Sequence, residues 1–302
     1  MTIQQALQWA RLQLVASQTL RPDIESLLCH VLQCAPSRLI SYPEQQLTAP
    51  EQRNFVSLVE QRQQGIPVAH LTGSRGFWSL DIEVNQHTLI PRPDTELLVS
   101  LALEKIQPGM CIADLGTGSG AIALAIKAEC HDIWMLATDY SQPALLQAKQ
   151  NAVKNHLDVH FVRGQWLDAI QSEALDIIIS NPPYIRSDDP HLTIGDLRFE
   201  PLTALASGAD GLDDIRLLVH QSSRVLKSDG WLMVEHGYEP WNVKKIAGKI
   251  ILEVGNDELT GYEIDEIKAD TIDEFVEKRI DAEIDQPRYK YDEDFQEGLN
   301  QE

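Results

Sequence analysis

The sequence predicts a doubly wound α/β domain preceded by a small helical domain. Three observations carry that expectation. From about Pro93 onward, segments with helical apolar spacing alternate with short β-rich runs. One of those runs, "LDIIIS" at 175–180, is apolar almost throughout, as a strand buried on both faces of a parallel sheet must be. Between another such run and an apolar helix lie three glycines, Gly116, Gly118 and Gly120, where a parallel sheet turns tightly at a strand end.

Residues 1–73 read as helical. Ile3, Ala6, Leu7, Ala10 and Leu14 recur at three- and four-residue spacing, and Ile24, Leu27, Leu28, Val31 and Leu32 continue the pattern. A further helix has Thr48 as its cap, Pro50 in its opening turn and Gly65 as its stop. This bundle either packs and does nothing chemical or docks a substrate. Residues 74–91 read as a β-hairpin linker, because 77–89 alternate in polarity around a turn near Asn85.

The α/β domain spans 92–250. "DTELLVSLALEKI" is a helix, "MCIADLG" a strand, "SGAIALAIKAEC" a helix, "IWMLATD" a strand and "SQPALLQAKQNAVKN" a helix. "VHFVRG" and "LDIIIS" are strands, "DDIRLLVHQSSRVL" a helix and "GWLMVEH" a strand. No internal repeat of 20–50 residues is visible. Residues 251–302 form an acidic C-terminal segment, read as a solvated helix followed by a disordered end.

With 302 residues, 43% apolar and 24% charged, the composition is that of a soluble globular protein. The N-terminus has neither the apolar core of a signal peptide nor the length of a membrane span. Cys29, Cys34, Cys111 and Cys130 show no metal-binding spacing and are expected as buried free thiols in a reducing cytoplasm, with no metal site. The net charge is −21, of which the last 52 residues hold −13, from 18 acidic and 5 basic side chains. Neither part resembles a non-specific nucleic-acid binder, which needs clustered Lys and Arg.

Gly116, Thr117, Gly118, Ser119 and Gly120 would let a ligand approach the backbone at a helix N-terminus. The loop also fits GxGxxA through Ala121, so a nicotinamide site stays open. Asp139, 23 positions after Gly116 at the end of the second strand, would accept hydrogen bonds from both hydroxyls of a ribose. Glycine loop plus acid implies an adenosine cofactor without saying which. The stretch "NPPY" after "LDIIIS" narrows the choice. Pro182 and Pro183 end the strand at about Ser180 and stiffen the loop that holds Asn181 and Tyr184. In a doubly wound order this strand lies beside the first, so Asn181 faces the cofactor across the switch point. The Asn181 oxygen and the Pro182 carbonyl are two acceptors suited to an NH2 group, and Tyr184 would cover it. A poor nitrogen nucleophile needs a strong electrophile, which the sulfonium methyl of S-adenosylmethionine supplies.

Several motifs in order then make a resemblance plain. They are "LIPRPDTELLV" (89–99), "DLGTGSG" (114–120), "ATDYSQPALLQAKQNA" (137–152), "GQWL" (164–167), "NPPYI" (181–185), "EPLTALASGADGL" (200–212) and "EHGY" (235–238). Over about residues 1–240 the chain resembles the PrmC/HemK family of release-factor protein-(glutamine-N5) methyltransferases. The resemblance implies a class I (Rossmann-like) S-adenosylmethionine-dependent methyltransferase domain behind a helical substrate-docking domain. It implies S-adenosyl-L-methionine as cofactor and the Gly-Gly-Gln loop of class-1 peptide chain release factors as substrate. Gly116, Thr117, Gly118, Ser119 and Gly120 would line the methionine part, Asp139 the ribose and Trp166 the adenine. Asn181, Pro182, Pro183 and Tyr184 would hold the glutamine amide, with Asn181 also close to the methyl donor. Arg92, Glu96 and Glu200 sit in matching segments and could contact the site, and for Arg92 and Glu96 a surface ion pair or a cap on the "PDTELL" helix fits equally well. A cytoplasmic monomer without membrane or nucleic-acid contacts is expected. The alternatives are an amino-methyltransferase acting on an exocyclic amine of a nucleic-acid base, a nicotinamide oxidoreductase, and a binding module without activity. The C-terminus departs from the family pattern: residues 256–270 resemble its usual ending only loosely and lack its arginine.

Overall fold

The computed structural model describes residues 1–236, apart from 16 and 18, together with 244–246, 249–255 and 267–269. Five helices form the N-terminal unit: α1 (Ile3–Gln13), α2 (Leu20–Leu32), α3 (Pro36–Ser41), α4 (Ala49–Gln63) and α5 (Val68–Thr72). Thr2 with Gln5, and Thr48 with Glu51, close reciprocal capping boxes at the starts of α1 and α4. The apolar stripes meet in one core where Ile3, Ala6, Leu27, Leu28, Phe55 and Val59 are fully buried. Trp9 packs edge-on against Phe55 with ring centroids 6.2 Å apart.

The hairpin is real but displaced. Strands β1 (Ser74–Phe77) and β2 (Leu80–Glu83) pair antiparallel, so the chain reverses at Trp78 and Ser79 rather than near Asn85. Trp78 takes the left-handed conformation, φ 56°, and three contacts outweigh that strain. Its N–H donates to Glu96, its indole Nε1 donates to Glu129, and its ring packs on the main core. Asn85 makes a separate turn after the hairpin, accepting the His87 N–H on its side chain and the Thr88 N–H on its carbonyl.

The larger unit alternates helix and strand: α6 (Thr95–Lys105), β3 (Cys111–Leu115), α7 (Ala121–Glu129), β4 (Trp134–Asp139), α8 (Gln142–Lys154), β5 (His160–Arg163) and β6 (Leu175–Ser180). After three short 3₁₀ turns come α9 (Asp213–Val225), β7 (Leu226–His236), β8 (Lys244–Ile246), β9 (Lys249–Gly255) and β10 (Ile267–Ala269). The sheet order is β10-β8-β9-β7-β6-β3-β4-β5, and every described pairing is parallel except β8 with β9. β6 lies beside β3, as the buried apolar run requires. Its residues divide between two cores: Ile177 and Ile179 enter the one under α6 and α7, and Ile178 enters the one under α9. β9 runs across the boundary drawn at residue 250. The expected solvated helix and disordered end of the acidic segment lie outside the described residues. The four cysteines are free, as expected, but half-buried rather than buried. Among the described residues no helix is long and apolar enough to cross a membrane.

Buried polar side chains tie these parts together. Arg62 of α4 donates to Asp23 at 2.8 Å and to Asp196 at 2.8 Å, bridging the helical core to the segment that follows β6. Asn151 of α8 is fully buried and bonds three backbone groups on two segments. Its Oδ1 accepts the Glu83 N–H at 2.9 Å, and its Nδ2 donates to the carbonyls of Glu83 and Ser119. The hairpin and the glycine loop are thus tied to one side chain. Asn151→Ala strands those buried groups, so the protein should lose about 2–4 kcal/mol of stability, read as a lower urea midpoint at unchanged m-value. An unchanged midpoint would show that water replaces the amide.

Candidate active site

The carboxyl ends of β3, β4 and β6 open into one cleft of about 610 Å³, within the range of about 300–1,000 Å³ typical of small-molecule sites. Gly116, Thr117, Gly118, Ser119, Asp139, Trp166, Asn181 and Pro183 line it, together with Thr95, Arg92 and Asp214. Gly120, Pro182 and Tyr184 are not on its wall. Gly120 begins α7 at φ 86°, where a Cβ would stand 3.2 Å from Ala148, so its place is to seat that helix on α8. Pro182 is buried behind Asn181.

Gly116 has φ 68°, and a Cβ there would reach within 3.2 Å of the Trp166 ring. The glycine therefore serves the close approach of that indole as well as the turn. Trp166 is itself left-handed, φ 45°, and its Nε1 donates to Asp214 at 3.1 Å. Asp214, at the start of α9, also accepts the Ser207 hydroxyl, so the indole plane is fixed from behind.

Two acids organise the glycine loop. Asp139 is buried, with Oδ2 accepting the Gly118 N–H at 2.9 Å and Oδ1 accepting the Ser141 N–H at 2.8 Å. Burial raises its pKa, against the pull of those two N–H groups. Asp114 is fully buried one strand away. Its Oδ2 accepts the Thr117 hydroxyl at 2.6 Å and the Ala123 N–H at 3.1 Å, while Oδ1 has no hydrogen bond. Burial, with a smaller contribution from Asp139, pushes its carboxyl up to about 7.

The NPPY loop is anchored at its root: the Ser180 hydroxyl donates to the Leu115 carbonyl at 2.7 Å, tying the end of β6 to the end of β3. Asn181 donates its Nδ2 to the Thr95 hydroxyl at 3.2 Å. Tyr184 packs into the core under α9 and donates its hydroxyl to Glu235 at 3.4 Å. Burial, and then the nearby Glu235 carboxyl, hold the phenol above its usual range. Glu235 is fully buried on β7 and is raised by burial, opposed by Thr95, Tyr184 and Asn181. Arg92 pairs with Glu200, whose other oxygen accepts the Ile90 N–H at 2.9 Å. That bridge joins the segment before α6 to the one after β6, while Glu96 serves the hairpin turn instead.

Sequence reasoning assigned no role to Asp114, Thr95 or Glu235, although all three lie in the quoted motifs. Polar residues at the ends of buried strands, as in "ADLG" and "VEHG", were the available signal. Asp214 carried none, since its partner Trp166 lies 48 residues away.

The parallel sheet, the glycine loop and the acid on the second strand form an adenosine-cofactor domain, and the family match makes it a class I methyltransferase domain. Residues 93–199 match the methyltransferase small domain, and residues 5–73 match the PrmC N-terminal domain. The release factor glutamine methyltransferase of Xylella fastidiosa (strain 9a5c) is 50% identical over 222 residues, covering 72% of this chain and 81% of that protein. Those of Aliivibrio fischeri and Escherichia coli (strain K12) are 46% and 44% identical, covering 76% and 79% of this chain and 81% and 87% of theirs. The chain belongs to the release factor glutamine methyltransferase family.

Asp114 gives a pH dependence that checks the site's burial. A carboxyl whose folded pKa stands near 7 binds more protons folded than unfolded. Its contribution to stability is therefore complete below about pH 4 and is lost as the pH rises toward 7. Asp114→Asn keeps an oxygen for Thr117 and Ala123. Comparing urea unfolding at pH 5 and pH 7.5, the variant should lose roughly 2–4 kcal/mol less than the unmutated protein. Equal losses would place the titration elsewhere.

Proposed function

We propose that the protein transfers a methyl group from S-adenosyl-L-methionine to the side-chain amide nitrogen of the glutamine in the GGQ motif of peptide chain release factors. The observation that carries this reading is that Asn181 and Pro183 share one cleft with the glycine loop, Asp139 and Trp166. A nitrogen-holding loop and an adenosine site within one cavity suit methyl transfer to an NH2 group.

The residues present fit the cofactor. Asp139 uses one lone pair of each oxygen on the backbone, which leaves acceptor capacity for two ribose hydroxyls. The indole of Trp166, fixed by Asp214, offers a flat apolar surface for a purine. Gly116 and Gly118, without side chains, leave room for the methionine portion beside the loop backbone. When bound, the cofactor supplies an electrophilic methyl on a positively charged sulfur.

An amide nitrogen is a weak nucleophile because its lone pair is delocalised into its carbonyl. The protein's work is orientation and electrostatics. The Asn181 oxygen, on the cleft wall, accepts one N–H of the glutamine and so orients its nitrogen. S-Adenosylmethionine held by the glycine loop, Asp139 and Trp166 would supply the methyl to that nitrogen, its sulfur keeping the electron pair of the carbon–sulfur bond. One N–H proton then passes to solvent water, made acidic by the charge on nitrogen, so a dedicated base is unnecessary.

The helical unit is assigned to docking the protein substrate. A Gly-Gly-Gln tripeptide buries little surface, and recognition of a whole factor needs more contact area. Arg62 and Arg198 support this assignment, since they join α4 to the segment walling the cleft, Arg62 through Asp196 and Arg198 through the Gln64 carbonyl.

Labelled S-adenosylmethionine offered with a release factor, a GGQ peptide and DNA in parallel tests the reading. Label should enter the release factor best, the peptide weakly and DNA not at all. Label in DNA alone would make the acceptor a base amine. Asn181→Ala should lower turnover on release factor by roughly 10²–10³, the effect of deleting one preorganised hydrogen-bonding group. Asn181→Asp, which keeps an acceptor, should retain more activity than alanine. Full activity in both would reduce NPPY to a strand terminator.

A further inference from the structure

We propose that Thr95 and Glu235 are positioning residues for Asn181: they hold its amide with Oδ1 turned toward the cleft, so that the site selects an acceptor that donates N–H. The inference rests on the methyl-transfer reading above and concerns how the acceptor group is chosen.

A primary amide is nearly symmetric in shape. Rotating it by half a turn exchanges oxygen and NH2 with little steric consequence, so its orientation is set by its partners. With oxygen facing the cleft, Asn181 accepts from an incoming NH2. With the amide reversed it would present its own N–H groups, repel that NH2 and suit a carbonyl instead. Which orientation prevails decides the substrate class.

The surroundings of Asn181 are asymmetric. Its Nδ2 donates to the Thr95 hydroxyl at 3.2 Å, and Thr95 is buried in the first turn of α6. A hydroxyl both donates and accepts, so Thr95 alone would tolerate either orientation. Glu235 removes that freedom. β6 and β7 run parallel with Ser180 opposite Val234, and Asn181 and Glu235 are the residues that follow these two. There it is fully buried, faces both Thr95 and Asn181, and receives the Tyr184 hydroxyl at 3.4 Å. Its second oxygen, Oε2, makes no hydrogen bond. In its carboxylate form Glu235 only accepts, so an amide oxygen turned toward it would meet two electron-rich atoms away from bulk solvent. Nδ2 faces inward and Oδ1 faces outward.

A double-mutant cycle tests the proposal on the full-length protein with a release factor as acceptor. Thr95→Val and Glu235→Gln, both close in shape to the originals, should each lower kcat about tenfold, the effect of roughly 1.4 kcal/mol in the transition state. The calorimetric affinity for S-adenosylmethionine should not change, which also reports that each variant is folded. Thr95→Ser, which keeps the hydroxyl, should restore most of the lost rate. In an Asn181→Ala background neither substitution should cost anything further, because the residue through which they act is gone. Unchanged kcat in the single variants, or losses that add to that of Asn181→Ala, would overturn the proposal. Should Glu235→Gln fail to fold, the Thr95 series decides the matter alone. Failure of the underlying reading looks different: the unmutated protein would then put no label into release factor at all.

Discussion

A strand buried on both faces has to satisfy its backbone within the sheet and has to stop where that ladder stops. β6 is such a strand. Three successive isoleucines, Ile177, Ile178 and Ile179, are fully buried and alternate between two cores. Two prolines then deny it further donors, so the chain must leave the sheet at Ser180. Because β6 pairs with β3, it leaves beside the glycine loop. The juxtaposition of Asn181 with the cofactor cleft follows from that single termination, and the Ser180–Leu115 hydrogen bond holds the two strand ends in step. Displacing β6 by one residue would exchange its core-facing sets and carry Asn181 out of the cleft together with them.

Around that junction the protein buries four carboxyl groups, Asp114, Asp139, Glu200 and Glu235. Burial raises the pKa of each, so none is there without cost. Their partners differ in kind, and the difference sorts their tasks. Glu200 meets a full positive charge in Arg92 and a backbone N–H, and it joins two chain segments. Asp139 meets only backbone N–H groups and lines the cleft, where its remaining lone pairs face a ligand. Asp114 and Glu235 each leave one oxygen without a hydrogen bond.

Most of the fold was legible because the β6 and β3 runs are too apolar to be anything but central strands, and because caps such as Thr48 announce their helices. The hairpin turn was misplaced for a physical reason. Asn85 carries a strong local turn signal and does make a turn, but the strands reverse at Trp78, whose left-handed backbone is maintained by Glu96, Glu129 and the core rather than by its own propensity. Tertiary contacts of that kind leave no trace in a local pattern. The site shows the same division. Gly116, Asp139 and Asn181 are readable because their roles are enforced by backbone geometry at strand ends. Thr95, Asp214 and Glu235 act through partners 48 to 86 residues away, and only packing brings them there.

The segment after NPPY links these considerations. It continues from Tyr184, pairs Ile185 with Ala206, and sends Glu200 back to Arg92 and Ile90. On its outer side Asp196 accepts from Arg62 of the helical unit, and Arg62 is held by Asp23 from the helical core. One stretch of chain therefore carries the nitrogen-holding loop at one end, a wall of the cleft through Pro201 and Thr203, and the main polar tie to the helical domain. A protein seated on the helical unit would press on the same segment that borders the acceptor amide. On the proposed reading, the two units are joined where contact with a large substrate would bear on the position of a single nitrogen, which a free peptide has no means to reproduce.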